Sequence, residues 1–138
     1  MHGDPPLISW SDEPLAVVSV LPIWKLKRAL GSHIPSGVRV SVHIAELSQI
    51  SKIDNVEANL DKVNKPTVIY KDLPKDEAHG WKFIAIGPDN KLYIPVGQPG
   101  NNVLHDKDHG QIRRITLEGT GAEVVARAVR NTVGFDWH

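Results

Sequence analysis

The chain has 138 residues, of which 41% are hydrophobic and 23% charged, which is enough for one folded domain and argues against disorder. Its formal net charge is +0, without the basic stripe that a nucleic-acid partner requires. It has no cysteine, so disulfides, thiolate metal sites and a cysteine nucleophile are excluded.

Residues 1–35 form the segment that the sequence assigns most poorly. Their longest apolar run, residues 15–24, is too short to span a bilayer, so no membrane partner is expected. The residues before that run are acidic rather than basic, which is unlike a secretion signal. Either the chain is cytoplasmic or its natural start is missing. Residues 25–30, followed by Gly31, fit a short helix or the end of a strand.

Residues 36–74 show a faint pattern of short strands. Apolar, β-branched stretches favour four of them, at residues 38–42, 43–47, 48–53 and 67–70. A degraded turn joins the first two. The polar stretch 54–65 lies before the last strand, and we expect a helical turn in it.

The strongest local pattern is a pair of β-hairpins. Residues 82–86 and 91–97 flank the turn Gly-Pro-Asp-Asn, in which proline fixes φ and asparagine tolerates the left-handed conformation. Residues 111–117 and 122–126 flank a second turn, Glu-Gly-Thr-Gly. Four such strands in a meander are expected to form one sheet, which is the unit of a β-propeller blade.

The order of elements repeats after roughly 50 residues, a period typical of propellers and other arrays. The predicted fold is therefore all-β, with blades at about 36–74 and 79–129. Residues 132–137 look like the first strand of a further blade that has no partner strand. The alternative is that this strand closes the sheet of a small domain, but an uncovered strand edge favours a truncated propeller.

His79 and the pair Arg130–Asn131 are the candidate site residues. Each follows the last strand of a predicted blade, and connectors in these positions converge at one mouth of a propeller channel. A histidine accepts a proton from an alcohol, and an arginine beside it stabilises developing negative charge. The alternative interpretation makes His79 a capping or packing residue and Arg130 part of a turn.

A second candidate cluster is the acidic, histidine-containing stretch 105–109. His105 and His109 are spaced like metal ligands on a helix, but the neighbouring glycines indicate a solvated loop. Tryptophans are expected in the core or at blade interfaces; they are Trp10, Trp24, Trp81 and Trp137.

Three motifs in this order resemble the soluble glucose dehydrogenase and L-sorbosone dehydrogenase family. They are Asp-Glu-Ala-His-Gly-Trp-Lys-Phe-Ile at 76–84, the stretch 87–97 from Gly-Pro-Asp-Asn to Val-Gly, and 126–138 with Arg-Asn-Thr-Val-Gly-Phe-Asp-Trp-His. Residues 35–38 and 53–60 match more loosely. The resemblance covers roughly residues 30–138 and leaves 1–24 unexplained.

This resemblance implies a six-bladed β-propeller of which the chain holds about two blades. Members oxidise sugars or related alcohols with pyrroloquinoline quinone (PQQ) and calcium, and act in the periplasm or outside the cell. His79 matches the family's catalytic base, Arg130 the arginine on the quinone oxygens, and Asn131 its neighbour in the cofactor site. The cofactor then carries the redox step.

The sequence departs from the family in two places. The family's calcium ligands and further cofactor contacts come from blades that would follow His138, so we expect the isolated chain to be inactive. The start of the chain is also unlike the family's. Two other functions remain open: a non-enzymatic propeller that serves as a binding scaffold, and a small metal-dependent β-domain that uses His105 and His109.

Overall fold

The computed structural model describes residues 15–18, 39–59, 61–62, 65–103 and 106–138, and at 15–18 only the backbone. These residues form an all-β fold of two four-stranded sheets. The first sheet contains β1 (Leu15–Val18), β2 (Val40–Ala45), β3 (Ile50–Ile53) and β4 (Thr67–Tyr70). The second contains β5 (Ala85–Ile86), β6 (Lys91–Val96), β7 (Gln111–Thr116) and β8 (Glu123–Arg127).

The strands of each sheet lie side by side in chain order. All neighbours are antiparallel except β1 and β2, which are parallel. A one-turn 3₁₀ helix, Val56–Asn59, lies between β3 and β4 and confirms the helical turn expected there. Within the described residues, no helix is long and apolar enough to cross a membrane.

Both predicted hairpins are confirmed, although the first strand of the first hairpin is shorter than expected, since β5 holds residues 85–86 and not 82–86. Tight turns join β5 to β6 and β7 to β8, and the register of β6 on β7 runs from Lys91↔Thr116 to Val96↔Gln111. Because side chains alternate along a strand, this register places Leu92 opposite Ile115 on one face of the second sheet. Tyr93 and Arg114 are paired on the other face.

The first sheet corrects part of the sequence interpretation. Within the expected strands 38–42 and 43–47, the described residues 39–47 do not hold two strands joined by a turn, since a single strand, β2, runs through the expected turn. Its alternate residues Val40 and Val42 are buried, and a turn at that point would have interrupted this buried face. The last two predicted strands of this region correspond to β3 and β4.

The core lies between the two sheets. In this core, residues of the first sheet and of the connector after β4 pack against an apolar face of the second sheet. The fully or almost fully buried members are Ile50, Tyr70, Leu73, Ile84, Leu92, Ile94, Val96 and Ile115. Polar contacts close the edge of this interface. Lys52 on β3 contacts Glu118 in the β7–β8 turn at 2.5 Å, and His43 Nε2 donates to the Leu117 carbonyl at 2.9 Å.

Residues 131–138 form no strand, although they cover part of the outer face of the second sheet. Phe135 lies 5.5 Å from Phe83 and 6.1 Å from Tyr93, and Trp137 lies 5.1 Å from Tyr93, measured between ring centroids. The second sheet therefore has packed side chains on both faces. Trp81 is 58% exposed, so the expectation that it packs in the core is wrong for this chain. Trp10, Trp24 and the segment 25–30 lie outside the described residues.

The β7–β8 turn approaches the first sheet so closely that Gly119 has no room for a side chain. A Cβ there would overlap the carbonyl of Ile69 on β4, and its φ of +86° already disfavours other residues. Gly121 has a similar φ of +62°, but the nearest atom to its Cβ would be 3.8 Å away.

Gly119→Ala is therefore expected to destabilise the fold more than Gly121→Ala. The second substitution carries mainly the backbone cost of about 1–2 kcal/mol, whereas the first also pushes the two sheets apart. Urea unfolding of both variants measures the difference. Equal losses would show that the turn does not press on β4.

His43 makes the stability of the fold depend on pH. Its side chain is fully buried, and burial lowers the pKa of His43 below its ordinary 6.5 despite the bond to Leu117. Its Nδ1 atom has no hydrogen-bond partner among the described residues. The folded protein therefore holds this imidazole neutral, whereas the unfolded chain binds a proton near pH 6.5.

This linkage predicts that the free energy of unfolding falls as pH drops through about 6.5 toward the lower folded pKa, because the unfolded state then binds more protons. His43→Gln is expected to flatten that decline while lowering stability at pH 7.5. Urea unfolding of both proteins between pH 7.5 and 5 tests this. Parallel pH profiles would assign the acid sensitivity to other groups.

Candidate functional site

His79 lies in a tight turn between β4 and β5. Gly80 N–H donates to the Glu77 carbonyl at 3.0 Å, and His79 adopts a φ of 51°, which is uncommon for a residue with a side chain. The next residue, Gly80, has no room for a side chain, because a Cβ there would overlap the Leu47 side chain. This turn fixes the direction in which the imidazole leaves the backbone.

The imidazole is held in one orientation by the chain beyond β6. His79 Nδ1 lies 2.8 Å from the Gln98 carbonyl oxygen, and a Cβ on Gly97 would lie 2.5 Å from His79 Cβ. A carbonyl only accepts hydrogen bonds, so Nδ1 carries the proton and Nε2 keeps its lone pair. Nε2 has no hydrogen-bond partner among the described residues, and the side chain is half-buried.

The connector that carries Arg130 is also bonded to Gln98. The Gln98 N–H donates to the Arg130 carbonyl at 2.8 Å, so the backbone of Gln98 joins the connector of His79 to that of Arg130. The Arg130 guanidinium is exposed and donates to Asn101 Oδ1 at 2.6 Å through Nη2. Asn131 is exposed and makes no hydrogen bond within the described residues. Both candidate connectors thus reach the same end of the second sheet.

A small pocket lies beside His79. Its wall includes four titratable side chains together with small and apolar residues; the full lining is Pro74, Asp76, Ala78, His79, Gly80, Lys82, Val96, Gly97 and His109. Arg130 is not part of this lining. His79 therefore lies on a concave part of the surface. That the side chains of His79 and Arg130 share one channel mouth remains a prediction.

Lys82 is a buried residue of the pocket wall. Its side chain is 5% exposed, and Nζ donates to the carbonyls of Leu47 and Gly80 at 2.6 and 2.7 Å. Burial lowers the pKa of Lys82, because neither carbonyl carries the full negative charge that would compensate the ammonium. Lys82 thereby fastens the end of the His79 turn to the first sheet.

His109 closes another side of the pocket between two carboxylates. Its Nε2 lies 2.9 Å from Asp76 Oδ2, and its Nδ1 lies 2.8 Å from Asp106 Oδ2. Burial alone would lower the pKa of His109, but the bonds to Asp76 and Asp106 outweigh it and raise the pKa. Asp106 also accepts the N–H groups of Asp108 and His109, which lowers its own pKa.

Of the two histidines considered as metal ligands, only His109 lies in the described part of the chain. His105 lies outside the described residues, and His109 is engaged by Asp76 and Asp106. Among the described residues, no group of three or more histidine or acidic side chains is arranged to hold a metal ion.

Sequence reasoning missed several residues that shape this site. Gln98 bonds to His79, Lys82 bonds to Gly80, and the Asp76 carbonyl lies beside Gly80. None of the three had been singled out, because Asp76 and Lys82 are ordinary polar residues within a motif and Gln98 lies just after one. His109 did stand out, but as a metal ligand. Only its position across from Asp76, 33 residues away in the chain, shows its role.

Comparisons with known proteins add two partial relatives. The chain is 31% identical over 105 residues to an uncharacterised protein of Borreliella burgdorferi, a match that covers 67% of this chain and 28% of that protein. It is 28% identical over 85 residues to leucine-rich repeat serine/threonine-protein kinase 1 of Caenorhabditis elegans, covering 61% of this chain and 3% of the kinase. The chain thus spans less than a third of the length of either relative.

No family model matches the chain, and no solved structure matches it. Neither relative has a dehydrogenase name. The resemblance to quinone-dependent dehydrogenases therefore depends on the motifs of this sequence alone.

Proposed function

We propose that the chain is part of a PQQ-dependent sugar dehydrogenase of the β-propeller type, in which His79 is the catalytic base. The observation that carries this proposal is the bond from His79 Nδ1 to the Gln98 carbonyl, which leaves Nε2 as a hydrogen-bond acceptor beside a pocket. A base needs this tautomer in order to take a proton from a substrate hydroxyl.

The arrangement of the sheets supports the propeller part of this proposal. Two four-stranded sheets follow each other in the chain, each with its strands in sequential order, and they pack face to face. The second sheet has the antiparallel meander of a propeller blade, and so do β2, β3 and β4 of the first; β1 departs from it, because it pairs with β2 in parallel. In this interpretation Phe135 and Trp137 belong to the start of the next blade, since they pack on the opposite face of the second sheet.

Arg130 and Asn131 fit the cofactor side of such a site. Within the described residues the guanidinium uses only Nη2, in its bond to Asn101, so its other N–H groups are donors for the oxygens of a quinone. When bound, the quinone would supply the hydride acceptor. The described residues offer no cluster of acidic or histidine side chains for calcium, so we assign none of them to that ion.

The chain's own residues would act on a sugar or alcohol as follows. His79 Nε2 accepts the hydroxyl proton as the carbonyl forms, and the imidazole becomes positively charged. The Gln98 carbonyl, on the far side of the ring, stabilises that charge through the Nδ1–H bond. Gly97 and Lys82 restrict the motion of the ring and its turn, so that Nε2 is already oriented when the substrate arrives.

The direct test uses the complete reading frame that contains these residues, purified and supplied with PQQ and Ca²⁺. Dye-linked oxidation of a panel of aldoses and simple alcohols is expected, and activity should vanish without the quinone. The family's usual compartment further predicts a periplasmic or secreted parent protein. A folded parent that neither binds the quinone nor oxidises any member of the panel would contradict the proposal and favour a non-enzymatic scaffold.

A further inference from the structure

The loop between β6 and β7 holds the His79 turn at two separate points. At its beginning, the Gln98 carbonyl accepts the proton of His79 Nδ1. At its end, His109 contacts Asp76, which precedes His79 by three residues. The Asp76 carbonyl also lies near Gly80, within the same turn. The loop and the turn are therefore joined on both sides of the catalytic imidazole.

The second of these contacts requires a charged histidine. Both ring nitrogens of His109 face carboxylate oxygens, and a carboxylate can only accept. Neutral imidazole has a single N–H, so only the imidazolium donates to Asp76 and Asp106 at the same time. The side chain of His109 is 14% exposed, whereas the carboxylates of Asp76 and Asp106 are each 47% exposed.

We propose that the Asp76–His109–Asp106 triad is a pH-dependent clamp in which His109 is a positioning residue for His79. In the charged state it ties the β6–β7 loop to the His79 turn. Both Asp106 oxygens lie within 3.0 Å of Nδ1, so the neutral ring keeps its proton there and loses the one on Nε2, which releases the turn from the loop at Asp76. That His79 is a catalytic base rests on the proposed function, whereas the clamp depends only on the contacts of His109 with Asp76 and Asp106.

The charged groups around His109 favour the clamped state. Its two nearest charges are Asp76 and Asp106, and both raise its pKa. The pocket also contains His79 and Lys82, of which Lys82 is bound to two carbonyls. On the loop itself, Lys107 and Asp108 form an exposed pair at 3.9 Å. The folded protein therefore keeps the proton on His109 to a higher pH than an unfolded chain does.

The clamp is tested by an NMR titration of the 138-residue chain, observing the imidazole nitrogens and the exchange rate of the Gly80 amide. That amide makes the turn's own bond to Glu77. As pH rises through the His109 pKa, Gly80 exchange beyond its normal base catalysis is expected to accelerate about tenfold. A His79 turn that does not respond to the titration of His109 would overturn the proposal.

Two variants give an independent readout at a fixed pH of 6. Asp76→Asn keeps the shape of the side chain but removes its charge, and His109→Gln removes the imidazole. Both are expected to reproduce the faster Gly80 exchange. Asp108→Asn is the matched control, because the partner of this exposed carboxylate among the described residues is Lys107 and not His109.

The clamp would be contradicted if Asp108→Asn accelerated Gly80 exchange as much as Asp76→Asn does. It would also be contradicted if the Asp76→Asn variant folded and its Gly80 amide exchanged at the wild-type rate. None of these measurements requires enzymatic activity. A clamp without dehydrogenase activity would therefore disprove the proposed function alone, and activity with an unresponsive turn would disprove the clamp alone.

Discussion

On the proposed dehydrogenase function, His79→Gln is expected to lower kcat of the quinone-loaded parent protein by about 10²- to 10⁴-fold, the usual contribution of a general base. Glutamine can still donate to the Gln98 carbonyl, so the turn should remain folded. It cannot accept a proton, so only the chemical step should suffer. KM should change much less than kcat, because the substitution leaves most of the binding surface in place.

Steady-state kinetics with the preferred sugar measure this effect. His138→Gln provides the control, since that side chain is exposed and lies outside the proposed site. A variant that retains wild-type kcat would remove His79 from the chemistry and favour the scaffold function.

Leu92→Ala is expected to cost about 3–5 kcal/mol of folding free energy, the largest loss from any single truncation proposed here. Leu92 is fully buried on β6, opposite Ile115, and belongs to the cluster that joins the two sheets. The substitution removes apolar contacts and leaves a cavity that the paired strands cannot easily close. A domain of this size has about 5–15 kcal/mol of stability in total, so a large share would be lost.

Leu47→Ala is the matched control, because the same atoms are removed from a side chain that is 39% exposed. Its cost should be below about 1 kcal/mol, as is usual away from the core. Urea unfolding followed by circular dichroism compares the two. Similar losses would show that the inter-sheet cluster is not the main source of stability.

Local patterns were enough to predict the second sheet. Alternating apolar residues and turn chemistry at 87–90 and 118–121 specify two hairpins, and hairpin strands pair with their neighbours in the chain. The first sheet was harder, because β2 carries polar residues such as His43 at positions that tertiary contacts bury. A local pattern does not reveal that the Leu117 carbonyl, 74 residues away, will satisfy that imidazole.

The sequence by itself determined the all-β class, the two hairpins and the choice of His79 and Arg130 as residues to examine. The tertiary structure decided what surrounds them. It joined both connectors through the backbone of Gln98, buried Lys82 under the His79 turn and brought Asp76 to His109. These contacts link segments far apart in the chain, and their energies depend on burial and on distances between charges, which exist only once the two sheets have packed together.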